Sequence, residues 1–152
     1  MNINNLYDYV VTLMDDEIRE SVHAEYAPCS EVLFIKKYIQ ADPAFGDMLD
    51  TEFNGLDNLI DTIREISILK STGLTDKEAV DALENDGCII YLADDYILEC
   101  GKALDDCDED DAIHLRRLIE DIESATKDEH LTYDDGSIVI YDDIKYYVNW
   151  IL

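Results

Sequence analysis

The sequence predicts an α+β fold: an N-terminal helical lobe of about five helices, then a β-hairpin, a helix and C-terminal antiparallel strands. Three observations lead there. Apolar residues up to Gly87 recur at spacings of three and four, the mark of amphipathic helices. After Gly87 short β-rich runs replace them, each ending in an Asp pair. In the last run Ile144, Tyr146, Val148 and Trp150 alternate with Lys145, Tyr147, Asn149 and Ile151, the period of a strand.

The first stripe is Ile3, Leu6, Tyr7, Val10, Leu13, Met14 and Ile18, read as one helix. Ser30 is a suitable N-cap for a helix over 31–40, with Leu33, Phe34, Tyr38 and Ile39 inward. Asp42-Pro43 restarts the chain as cap and first helical residue, and that helix stops near Gly55. The next runs from Asp57 to Thr72, with Leu59, Ile60, Ile63, Ile66 and Leu69 apolar and Gly73 as its stop. Thr75-Asp76-Lys77-Glu78 is a capping box, flanked by Leu74 and Ala79 as a hydrophobic staple.

The segment Gly87 to Asp95 resembles Gly136 to Asp143: a β-rich run, an Asp pair, then another apolar stretch. Each reads as strand, acidic turn, strand, and Asp134-Asp135-Gly136 is a further turn signal. Between them, 111–126 reads as a helix with Ile113, Leu115, Leu118, Ile119 and Ile122 apolar. One alternative stays open. Ile89, Leu92, Ala93, Tyr96, Cys100, Ala103, Leu104 and Cys107 also fit a helical stripe, which would leave a nearly all-α fold with a C-terminal β-hairpin.

The chain is expected to form a single compact domain over 1–152, with a helical sub-lobe at 1–87 and an acidic α+β sub-lobe at 88–152. Hydrophobic residues make up 47%, with ten Tyr, which separates it from disordered acidic tails. No basic n-region opens the chain, and no uncharged stretch is long enough to span a bilayer. Cys29, Cys88, Cys100 and Cys107 are therefore expected as reduced thiols in a cytoplasm.

Charge is the other outstanding feature. The 152 residues hold 37 acids and 11 bases, a formal net charge of −26. Like charge opposes compaction, so such a surface suggests a strongly basic partner. Halophilic adaptation fits the abundant Ile and Tyr poorly. The excess is uneven: residues 1–40 net −4, 41–87 net −9 and 88–152 net −13. Six acids fall in the seven positions 105–111, where a helix begins. The helix dipole accounts for two or three of them.

Several chemistries fail on spacing. Asp106, Asp108 and Asp110 match the opening of a calcium loop, but Asp111 stands where the turn wants Gly, and Arg117 where the bidentate Glu belongs. Cys100, Cys107 and His114 are seven apart, about 10.5 Å on one helix, too far to share zinc. No metal and no cofactor is expected. His23 near Cys29 is the one local nucleophile–base pair, and no nucleophile elbow, phosphate loop or dinucleotide turn is present, so no catalytic residue is assigned. Direct nucleic-acid binding is opposed by the charge, and an acidic surface is repelled by anionic membranes.

The remaining reading is a protein that itself looks like nucleic acid. Duplex DNA carries one charge per roughly 1.7 Å, so the excess matches about 44 Å of duplex, close to the roughly 40 Å diameter of a globule this size. The chain resembles the phage and mobile-element DNA-mimic inhibitors, the anti-restriction and anti-CRISPR class: small, very acidic domains with interspersed Tyr. Its opening, Asn4-Asn5-Leu6-Tyr7-Asp8-Tyr9, resembles that of the phage overcome-restriction protein. The resemblance implies a non-enzymatic inhibitor, acting in the host bacterial cytoplasm, that blocks the basic DNA- or RNA-binding channel of a Cas effector, a restriction enzyme or a nuclease toxin. A homodimer would lengthen the charge array. The partner-binding face is expected at Asp94, Asp95, Asp105, Asp106, Asp108, Glu109, Asp110, Asp111, Glu120, Asp121 and Glu123. An immunity protein against a nuclease toxin has the same surface physics, and an acidic adaptor whose interaction helix is one of the first four is a further alternative.

Overall fold

A computed structural model describes residues 6–125 and 136–151. By contact density the chain divides into two units, Met1–Asp81 and Ala82–Leu152. The α+β architecture is the expected one, with helices first and antiparallel strands at the C-terminal end.

In the first unit, α1 (Leu6–Thr12) and α2 (Asp16–Tyr26) replace the single helix expected over the first stripe. The break has a local cause. The Asp15 carboxylate accepts a hydrogen bond from the Ile18 amide at 3.0 Å and so caps a new helix. Its own amide donates to the Tyr38 hydroxyl at 2.8 Å. Next come α3 (Glu31–Ala41), α4 (Pro43–Glu52), α5 (Leu56–Ser71) and α6 (Asp76–Glu84), within which the division between units falls. Ser30 caps α3, accepting from Leu33 N at 3.0 Å. Asp42 occupies the N-cap position of α4 without capping it; its carboxylate takes the Tyr38 hydroxyl instead. Gly55, at φ 134°, starts α5 in a backbone region that side chains avoid. The capping box of α6 is reciprocal: Thr75 N donates to Glu78 Oε1 at 3.0 Å, and Glu78 N to Thr75 Oγ1 at 3.2 Å. Hydrogen bonds to the carboxylate from the Thr75 amide first, and from the Thr75 side chain, hold the Glu78 carboxyl below its ordinary pKa.

Helix α3 packs on α2, α4 and α5. It therefore buries more than one stripe: Val32, Phe34, Ile35 and Tyr38 are inside, while Leu33 and Ile39 are only half-buried. Between the start of α3 and the end of α5 lies a charge network. Lys70 meets Asp76 at 2.8 Å and Glu31 at 3.7 Å, and Ser67 donates to Glu31 at 3.3 Å. Burial raises the Glu31 pKa, and Lys70 and Ser67 pull it back in part.

The second unit opens with β1 (Cys88–Leu92), which runs directly into α7 (Ala93–Leu104). The hairpin expected after Gly87 is thus one strand followed by a helix. Asp94-Asp95 lie in the first turn of α7, where the dipole favours carboxylates. Ala93, Tyr96, Ile97 and Cys100 then face the core at helical spacing. The similar Asp142-Asp143 does form a turn: both residues take positive φ, 50° and 65°, as a two-residue type I′ hairpin requires. It joins β2 (Gly136–Tyr141) to β3 (Ile144–Trp150). The Asp134-Asp135 turn signal lies outside the described residues.

The sheet order is β1-β3-β2, all antiparallel. Helices α7 and α8 (Glu109–Ser124) pack as a helical hairpin, and a core of Ala93, Cys100, Leu118, Ile122, Ala125, Ile138 and Tyr147 joins them to the sheet. Tyr147 is fully buried and stacks on Tyr96 with ring centroids 3.9 Å apart. The alternation expected in β3 does not sort inside from outside, because Tyr146, Tyr147 and Val148 are all buried while Ile144 is 46% exposed.

Two outcomes test this account. The Tyr147 hydroxyl fills the space where a Cβ on Gly136 would sit. Gly136→Ala should therefore cost about 1–3 kcal/mol in urea unfolding, since a stacked, buried ring cannot swing aside. Glu31 binds its proton more tightly folded than unfolded, so its contribution to stability declines as pH rises from the ordinary 4.5 through the raised value. Glu31→Gln removes that decline. Its urea midpoint should rise relative to the parent's between pH 4.5 and neutrality, and superimposable profiles would refute the assignment.

Candidate functional site

All eleven acids of the expected face lie on the α7–α8 hairpin of the second unit. Ten are exposed and Asp121 is half-buried. They form two groups. Six stand at the tip: Asp105 and Asp106 end α7, Asp108 caps α8, and Glu109, Asp110 and Asp111 fill its first turn. Five stand at the base: Asp94 and Asp95 begin α7, and Glu120, Asp121 and Glu123 lie in the last turns of α8. From Asp111 to Glu120 is about 14 Å along the helix. Arg116 and Arg117 occupy that gap, both exposed. One outward stripe of α8, Ile113–Arg117–Glu120–Ser124, is accordingly mixed in character. The structure brings together each group of acids, not all eleven in one uninterrupted patch.

Local structure accounts for some of these carboxylates. Asp108 accepts from Asp111 N at 2.9 Å as a side-chain N-cap. Asp94, Asp95 and the α8 first-turn acids sit at the positive ends of helix dipoles. Asp105 and Asp106 do the opposite. They stand at the C-terminal end of α7, where the helix presents its own partial negative charge. Two carboxylates there oppose folding.

The two units use their acids differently. In the first, Asp16 pairs with Arg19, Asp61 with Arg64, and Glu31 and Asp76 with Lys70. Glu52 takes the Tyr9 hydroxyl at 2.9 Å, which raises the tyrosine pKa, and Asp50 accepts from Leu56 N at 2.7 Å. On the α7–α8 hairpin Lys102 pairs with Glu99 at 3.2 Å, and neither belongs to the expected face. Apart from Asp121, the face acids form no salt bridge with a described base.

Sequence reasoning missed two features. Lys145 lies on the sheet face covered by the helices, and its ammonium donates to the carbonyls of Ile122 at 2.7 Å and Glu123 at 3.1 Å, closing the C-terminal end of α8. Leu92 and Ile144, both close to half-exposed, border the basal acids. Among the described residues, no group of three or more His, Cys, Asp or Glu is placed to hold a metal ion, and no disulfide joins the four cysteines. His23 packs edge-on against Phe34, with centroids 6.4 Å apart. No helix among the described residues is long and apolar enough to cross a membrane.

One comparison with known proteins finds a likeness, confined to the N-terminal helices. The matching family is described as anti-CRISPR protein AcrIC5, and the match covers residues 3–44, which hold α1, α2, α3 and the first residues of α4. Searches of the curated proteins and of the solved structures give no match.

Removing the Lys145 ammonium leaves the α8 carbonyls unmet. Lys145→Met should lower stability by about 1–2 kcal/mol, read from urea unfolding.

Proposed function

We propose that this chain is a stoichiometric anti-CRISPR inhibitor whose carboxylates stand in for nucleic-acid phosphates and occupy a basic DNA- or RNA-binding channel of a CRISPR–Cas component in the host bacterium. The observation that carries the reading is the set of exposed acids on the α7–α8 hairpin that no described base pairs. Asp105 and Asp106 weigh most, because their position costs the fold energy and repays it only when a cation arrives. Arg forks of a phosphate-binding channel suit such carboxylates. The likeness of residues 3–44 to an anti-CRISPR family favours a Cas target over a restriction enzyme or a nuclease toxin. The tip, with six acids, is the primary contact, and the basal five are the second. Arg116 and Arg117 between them set a register, since only a target with a break in its positive charge accepts the whole face.

The test uses purified Cas effector complexes and fluorescent target DNA. The inhibitor should compete with DNA, and its association should slow about tenfold or more as salt rises from roughly 0.05 to 0.2 M. Asp105→Lys with Asp106→Lys should weaken inhibition at least tenfold while leaving the melting temperature unchanged or raised, because the helix end gains a favourable charge. Inhibition that is indifferent to salt, or that leaves DNA bound, would sink phosphate mimicry.

A further inference from the structure

We propose that the cleft at the base of the α7–α8 hairpin is a receptor for a single arginine side chain of the basic partner. The inference rests on the reading of this face as one that meets a basic protein, and it adds an apolar anchor to the charge. The cleft encloses about 320 Å³. Ile97 and Ile122 lie within it, and Leu92 and Ile144 form its lips, 48% and 46% exposed. Asp94 lines it from α7 and Glu123 from α8.

Three physical facts select the occupant. The lining carries two carboxylates and the Lys145 ammonium, two of whose three hydrogens are engaged by the Ile122 and Glu123 carbonyls, so its charge is −1 and one cation neutralises it. The lips offer apolar surface at the height of those carboxylates, which fits a long aliphatic stem with a charged head. A guanidinium is more weakly hydrated than an ammonium, and its planar fork can serve two carboxylates at once, so the cleft should prefer arginine to lysine.

The cleft also supplies what a carboxylate face lacks. Long-range charge speeds encounter and sets salt dependence, whereas residence time depends on buried anchors. An arginine held by its stem as well as its head is such an anchor.

The experiment titrates the full chain with nona-arginine and with nona-lysine, peptides of equal charge, at about 0.15 M salt. Nona-arginine should bind severalfold tighter. Leu92→Ser with Ile144→Ser changes no charge and should abolish that preference, while Ile113→Ser, an exposed apolar site elsewhere on the hairpin, should leave it intact. A preference that survives the double change, or that Ile113→Ser removes equally, overturns the proposal. If a melt shows that the double variant does not fold, Asp94→Asn with Glu123→Gln is read instead. That pair must remove the preference, and an unchanged ratio overturns the cleft. The charge reading fails separately, by binding of both peptides that does not respond to salt.

Discussion

Mutual repulsion among carboxylates is the constraint that the rest of this protein answers to. With 37 acids against 11 bases, every gain in compactness brings like charges closer. Apolar burial has to outweigh that cost, and the means are visible. Tyr38, Ile35, Leu49, Ile63, Ile68 and Leu69 are essentially closed to solvent in the first unit. In the second, Tyr147, Val148 and Ile122 are. Tyr96 stacks on Tyr147, whose hydroxyl end fills the space a Cβ would need at Gly136.

The acids themselves are handled in two ways. In the first unit many are absorbed into structure as caps, as ion-pair partners and as acceptors for hydroxyls and amides. Each such use lowers the local field and fastens a helix end. On the α7–α8 hairpin the acids are left exposed, and two stand at the wrong end of a helix dipole. Asp94, Asp95, Glu109, Asp110 and Asp111 stand in the first turns of their helices, where the dipole favours them, so the opposition to folding is confined to part of the face. The family likeness falls in the first unit and the exposed acids of the α7–α8 hairpin in the second, so the recognisable segment and these acids are separate parts of the chain.

Legibility in the sequence followed the range of the interaction. The capping box at Thr75 and Glu78 is complete within four residues and formed as read. The Asp142-Asp143 hairpin is likewise local. Residues 88–107 are ambiguous in sequence because a β-rich run and a helical stripe overlap there. The chain resolves this by using both, a strand to Leu92 and a helix from Ala93. The first stripe hid a break because Asp15 faces both an apolar helix and a cap, and its partner, the Tyr38 hydroxyl, lies 23 residues away.

By itself the sequence determined the α+β class, the order of its parts, the acidic excess and the residues that carry it, because composition, period and capping act over a few positions. Tertiary structure alone decided which acids share a surface. Antiparallel packing of α7 and α8 sets Asp94 beside Glu123, residues 29 apart in the chain, and leaves Arg116 and Arg117 between two acidic groups. It also turned Lys145 inward to close α8, and left Leu92 and Ile144 exposed beside the basal acids. Such placements depend on how helices meet a sheet, and no local pattern encodes that.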